Sequence, residues 1–268
     1  MSFSGCEANE SKPSAFWDPS TANSLDLARP KLRARPIGIE DIIHHGTHAS
    51  HRAWRSGPEL NLLTEFLGAL SIVAPGGTKL KLFHQPRIES GFPDVVLVVW
   101  NPSIANKWPE QRKALTHFDL RLLQYLVTCG EASFESIRST FGRQSDKSLI
   151  RLREADTLAV KKRSVKPRSL SQIFAVSRII SVEAKVHDWK SVLSQAVLNT
   201  WFSDESWVLM PSKLTERVSA ECALHQGVRC LSTNDTCHDL TGLAGPSKPI
   251  SYGSWLFNEW AWKINRDI

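Results

Sequence analysis

The chain has few of the features that would tie it to a membrane or to an oxidising compartment. No run approaches the roughly 18 consecutive apolar residues that a membrane span needs, and the opening MSFSGCEANESKPS lacks a charged-then-apolar leader. Cysteine is scarce, and the five present (Cys6, Cys129, Cys222, Cys230, Cys237) are odd in number and irregularly spaced, unlike a disulfide framework. These absences predict an intracellular, cytoplasmic protein with reduced thiols and no membrane partner. There is no Gly-x-Ser-x-Gly elbow to carry a serine nucleophile, and no cysteine has an evident histidine partner. Nor is there a Gly-rich loop ending in Lys-Ser or Lys-Thr, so no nucleotide cofactor is expected. What is present is an ordinary globular composition: 268 residues, 41% apolar and 22% charged, enough for one large domain or two small ones.

Positive charge is unevenly spread. Between Arg112 and Arg178 there are 14 Lys or Arg against 6 Asp or Glu, an excess that leaves the rest of the chain net negative although the whole carries +6. The densest run is Lys161, Lys162, Arg163, Lys166 and Arg168, among Ser164, Pro167 and Ser169, which reads as an exposed loop or hairpin tip. Nucleic acid is the natural partner for such a patch, because each phosphate neutralised releases counterions. A solvated basic loop is the plainer alternative.

Residues 1–36, rich in Pro, Ser and Asn, read as an irregular arm. Helical character is expected over 37–55, and again from Pro58, where Leu60, Leu63, Phe66, Leu67 and Leu70 recur at helical spacing. Residues 79–88 and the run DVVLVVW at 94–100 predict two strands, the second buried on both faces. Three short helices follow over 118–129, 133–141 and 145–155, broken at Gly130 and Gly142, with Ser133 and Ser145 as candidate caps. Strands at 158–162 and 172–176 would form a hairpin around the basic run. Three helices and a hairpin resemble a winged helix-turn-helix module, and the DNA-facing residues would then be Arg143, Lys147 and Arg151 with Lys161, Lys162, Arg163, Lys166 and Arg168. An insertion that merely packs against its host is the other reading. Beyond it, strands are expected at 179–182, 206–210 and 228–231, helices at 189–201 and 213–224, a loop-rich stretch at 232–249, and an amphipathic tail at 255–264.

The chemistry-bearing residues fall at strand ends. Asp94 follows Gly91-Phe92-Pro93 and opens a buried strand; Glu183 and Lys185, two apart, project from one face at the end of another. Two carboxylates brought together there repel and are costly to desolvate, so a hard divalent cation is their expected companion. Such a cation polarises a phosphoryl oxygen, while a nearby ammonium can order the attacking water.

In this order these residues resemble the PD-(D/E)XK nuclease superfamily: a helix with Glu65, Gly91-Phe92-Pro93-Asp94 and a buried strand, Glu183-Ala184-Lys185, then Gln195 on the next helix. The resemblance covers residues 58–231 and implies an α/β fold with a restriction-endonuclease-like mixed sheet flanked by helices. The core would be discontinuous (37–111 and 179–268), with the winged-helix-like module inserted over 112–178 in place of the family's usual short hairpin. It also implies a metal-dependent endonuclease acting on DNA, as in restriction, phage defence, transposition or repair. Asp94, Glu183, the Ala184 carbonyl and Glu65 would hold Mg²⁺ or Mn²⁺, Lys185 would position the water, and Gln195 would order the site. Because cutting both strands needs two sites, a homodimer or a larger nucleoprotein complex is a candidate assembly. A catalytically silent DNA-binding or adaptor protein on the same fold, and a nuclease subunit active only within a complex, remain alternatives.

Two other clusters hold ligand types. His44, His45, His48 and His51 read as a polar helix face, weakened as a helix by Gly46. Cys222, His225, Cys230, Cys237 and His238 have the donors for zinc but the spacing of no known ribbon or finger. Of the ten tryptophans, Trp255, Trp260 and Trp262 read as core or as a contact surface for a partner.

Overall fold

A computed structural model describes residues 36–37, 42–43, 57–240 and 248–266. The arm before Pro36 and the histidine cluster lie outside these. At the centre is a mixed α/β arrangement around a six-stranded sheet. Its strands are β2 (Ile42–Ile43), β4 (Lys79–His84), β5 (Val95–Trp100), β9 (Val176–Ala184), β10 (Glu205–Leu209) and β11 (Val228–Leu231), in the order β11-β10-β9-β5-β4-β2. The pairs β4/β5 and β5/β9 are antiparallel, whereas β9/β10, β10/β11 and β2/β4 are parallel. A second sheet joins β1 (Pro36–Ile37), β3 (Ser71–Val73) and β12 (Cys237–Asp239). Ile37, Ile42 and Ile43, expected in a helix, are thus strand residues; β-branched side chains suit edge pairing better than a helix turn. The remainder of 37–55 is outside the described residues. β12 likewise occupies part of the stretch read as loop.

Alternation along β5 explains why the sheet is covered on both faces. Val95, Leu97 and Val99 enter one cluster with Leu63 and Phe66 of α1 (Pro58–Ala69). Val96, Val98 and Trp100 enter another with α3 (His117–Cys129) and α9 (Tyr252–Arg266). α7 (Trp189–Asn199) and α8 (Ser212–Cys222) pack with Val208 and Val228 in a third. α2 (Pro102–Ala105) is a single turn.

Within the segment between β5 and β9, α3 is followed by β6 (Ala132–Ser133), α4 (Phe134–Phe141), α5 (Gln144–Glu154), β7 (Leu158–Val160), β8 (Ser164–Pro167) and the single turn α6 (Leu170–Ile173). The strands form an antiparallel sheet in the order β6-β8-β7. Thr116 and Asp119 form a reciprocal capping box on α3, and Ser133 caps α4 through the Ser136 N–H at 3.1 Å. Gly130 and Gly142, at φ +85° and +74°, end the first two helices where a side chain would be strained. Ser145 does not cap α5: it is buried, and its hydroxyl donates to the Gly142 carbonyl at 2.6 Å. The hairpin's return strand is 164–167 rather than 172–176, because the chain reverses within three residues, with the Lys161 N–H bonded to the Ser164 carbonyl at 2.8 Å. Its tip is therefore Lys161-Lys162-Arg163.

This segment shares one hydrophobic cluster with the central sheet. At its entrance Arg112, fully buried, makes a bidentate pair with Glu259 of α9 (2.9 and 2.6 Å) and lies over the Trp108 ring. At its exit, Asn258 accepts from the Ala175 N–H at 2.8 Å, and Arg112 donates to the Ile173 carbonyl at 2.8 Å. α9 consequently seals both joints. Its tryptophans are core: Trp255, Trp260 and Trp262 are buried, because the first two and a half turns of this amphipathic helix are enclosed on every side, with the polar Ser254, Asn258 and Glu259 buried and hydrogen-bonded among them. No helix among the described residues is long and apolar enough to cross a membrane.

Candidate active site

Strand direction gathers the candidate residues. The carboxyl ends of β4, β9 and β10 and the amino end of β5 lie along one edge of the sheet, where parallel strands commonly present ligand sites. A cavity of about 280 Å³ opens there, lined by Glu59, Gln85, Phe92, Asp94, Glu183, Ala184, Lys185 and Gln195 with two leucines of α1. Asp94 and Glu183, separated by 88 residues in sequence, share this cavity. The Asp94 carboxylate accepts the Ala184 N–H at 2.9 Å, which locks it against the end of β9.

The loop that delivers Asp94 is pinned from both ends. Ile88 and Gly91 exchange backbone hydrogen bonds, and Gln85 donates its N–H to the Asp94 carbonyl at 3.0 Å. At its tip Glu89 accepts from Arg121 of α3 at 2.8 Å and from the Tyr252 hydroxyl of α9, while Ser90 accepts the Trp201 indole N–H at 2.9 Å. Phe92 stands 43% exposed at the cavity, an apolar surface offered to whatever enters.

Electrostatics set the two carboxyls apart from surface acids. Burial raises Asp94 above its ordinary range, opposed by the Ala184 N–H, Lys185 and Gln85. Glu183, itself buried, is pushed up to about 8, first by desolvation and then by the Asp94 charge. Asn199 opposes this by donating to Glu183 at 2.6 Å. Lys185 leaves the end of β9 with its N–H on the Leu209 carbonyl (3.1 Å) and its ammonium 3.1 Å from Glu59.

The acid on α1 is not the expected one. Glu65 is exposed and does not line the cavity, whereas Glu59 does. At about 100° per residue, Glu59 shares the face of the buried Leu63 and Phe66, and Glu65 points away. Asn199, four residues after Gln195 and hence on its face of α7, was equally readable from helical spacing. Gln85 carries no motif signal.

Comparison of the chain with protein-family models, with curated proteins and with solved structures found no match.

Among the described residues no group of three or more His, Cys, Asp or Glu gathers as metal ligands, so neither the zinc candidates nor the cleft forms such a cluster. Cys222 and Cys230 are free thiols, Cys222 buried in the cluster under α8 with Cys230 packed against it, and His238 lies near the Trp207 ring with its Nε2 at the Asp235 carbonyl. The cleft nevertheless suits a hard cation. It supplies two oxygen-donor carboxyls whose mutual repulsion and burial both favour protonation unless positive charge is added, and the Ala184 carbonyl lies on the strand between them and Lys185.

On the segment between β5 and β9, Arg143, Lys147, Lys162, Arg163 and Lys166 are exposed. Lys161 pairs with Glu131 at 2.7 Å and Arg168 with Asp156 at 2.6 Å, both at the surface. Arg151 is differently placed: it grips the fully buried Asp119 at 2.6 and 2.8 Å and so ties α5 to α3.

Proposed function

We propose that the chain is a metal-dependent nuclease of the PD-(D/E)XK type that hydrolyses DNA phosphodiester bonds, with residues 112–178 acting as a winged-helix DNA-binding module. The observation that carries this reading is the convergence of Asp94 and Glu183, with 88 residues between them in sequence, on one cavity with Lys185 at its side. Asp94, Glu183 and the Ala184 carbonyl would hold Mg²⁺ or Mn²⁺. When bound, the cation polarises the phosphoryl oxygens and acidifies water.

The protein groups do the rest. Asp94, fixed by the Ala184 N–H, is held at the wall of the cavity. Glu183 gives up its proton to bind, so occupancy is favoured as pH rises toward 8. Lys185, tethered by Glu59, acts as a cation that orders water and offsets the charge developing on the phosphorane oxygens in an in-line displacement. Glu59, not Glu65, is the acid of α1 that supports it. Gln195 lines the cavity, and Phe92 offers a surface to a base or sugar. The order β6-β8-β7, the three helices and the basic tip at Lys161–Arg163 support the winged-helix assignment.

The test is incubation of the purified chain with supercoiled and linear DNA in Mg²⁺, Mn²⁺ or chelator, beside Asp94→Ala, Glu183→Ala and Lys185→Ala. Metal-dependent nicking lost in all three variants is expected. Cleavage retained by all three overturns the assignment, and binding without cleavage by the wild type favours a silent DNA-binding protein or a partner-dependent subunit.

A further inference from the structure

Gln85 sits at the end of β4, directly across the turn from Asp94, and its backbone adopts φ +39°, a region that residues other than glycine seldom enter. Such a conformation persists where surrounding contacts dictate it, and here two do. The main-chain N–H donates to the Asp94 carbonyl at 3.0 Å, and the side-chain amide lies beside the Asp94 carboxyl and favours its charged form. A carboxylate only accepts, so the Gln85 amide nitrogen faces Asp94 and the amide oxygen is turned away from it. That oxygen is buried and has no hydrogen-bond partner, although Gln85 lines the same cavity as Glu183 and Lys185.

A buried acceptor on a cavity wall is satisfied when a ligand or water entering that cavity supplies the missing positive partner. In the carboxylate forms that would bind a cation, Asp94 and Glu183 have no proton to give, and the Lys185 ammonium is paired with Glu59. A divalent cation, or a water it carries, satisfies the oxygen. A neutral amide oxygen also adds a ligand without adding negative charge to two carboxyls that already repel. We propose that Gln85 belongs to the cation site, its Oε1 contacting the ion or an ion-bound water while its amide nitrogen holds Asp94 in place. This rests on the reading of the cleft as a cation site.

The test is Mn²⁺ titration of the whole chain without DNA, followed by electron paramagnetic resonance. Wild type is compared with Gln85→Met, which keeps the bulk and removes both amide groups, with Gln85→Asn, which tolerates positive φ and withdraws the oxygen by one methylene, and with Gln85→Glu, which restores an oxygen donor. Met and Asn are expected to weaken Mn²⁺ binding by about tenfold or more, and Glu to weaken it less than either, because it restores the oxygen donor but not the amide nitrogen beside Asp94. Should Met fail to fold, Asn and Glu decide the matter. Wild-type affinity in Asn, or equal weakening in Asn and Glu, overturns the role of Gln85 alone. No Mn²⁺ binding by the wild type overturns the cation site itself, and with it the nuclease reading.

Discussion

Glu183 is the residue whose chemistry differs most from its free state. The folded chain holds its proton to about pH 8 while an unfolded glutamate releases it near 4.5, so between these values the folded state binds more protons. Stability of the cation-free protein should therefore fall as pH rises from about 4.5 to 8, by up to about 1.4 kcal/mol per unit. Melting curves in chelator across that range should show the decline in wild type and a flatter profile in Glu183→Gln; parallel profiles would contradict the assigned environment. Glu59 and Glu65 give a second contrast. Glu59→Gln removes the partner of Lys185 and should slow cleavage by about tenfold, whereas Glu65→Gln should leave the rate unchanged. Initial nicking rates of the two variants decide which acid serves the site.

Among the elements, α9 has the largest structural role. Glu259 meets Arg112 where neither reaches solvent, so Glu259→Ala leaves a buried guanidinium unpaired and should cost about 3–5 kcal/mol, read as a fall in the urea midpoint. Local patterns made several elements legible in sequence. The uninterrupted VVLVVW run specifies a strand covered on both faces, and the caps and glycine stops delimit α3 and α4. What escaped depends on tertiary context. β8 is a polar Ser-Val-Lys-Pro segment whose strand identity comes from pairing with β6 and β7. α9 is amphipathic as its sequence reads, but that it is enclosed by the sheet and α3 emerges only from the fold. Asp94, Glu183 and Lys185 were readable as a motif, yet choosing Glu59 over Glu65 required the rotation of α1, and Gln85 required the turn that opposes it to Asp94.

For the whole molecule, the inserted segment and the cleft are parts of one packed body. Arg121 and Tyr252 hold the loop carrying Asp94, and Arg112 and Asn258 fasten the insert's two joints. On the proposed function, DNA held at the hairpin tip would be presented to a cleft of fixed geometry. Reversing Lys161, Lys162 and Arg163 to Glu should weaken DNA binding and lower the slope of log affinity against log salt by about one for each phosphate no longer neutralised. An unchanged slope would place the tip in solvent. The most direct test of the nuclease assignment is anomalous diffraction from crystals soaked in Mn²⁺. A peak bounded by Asp94, Glu183 and the Ala184 carbonyl is predicted; a cleft without such a peak, at a concentration where the protein nicks DNA, would contradict it.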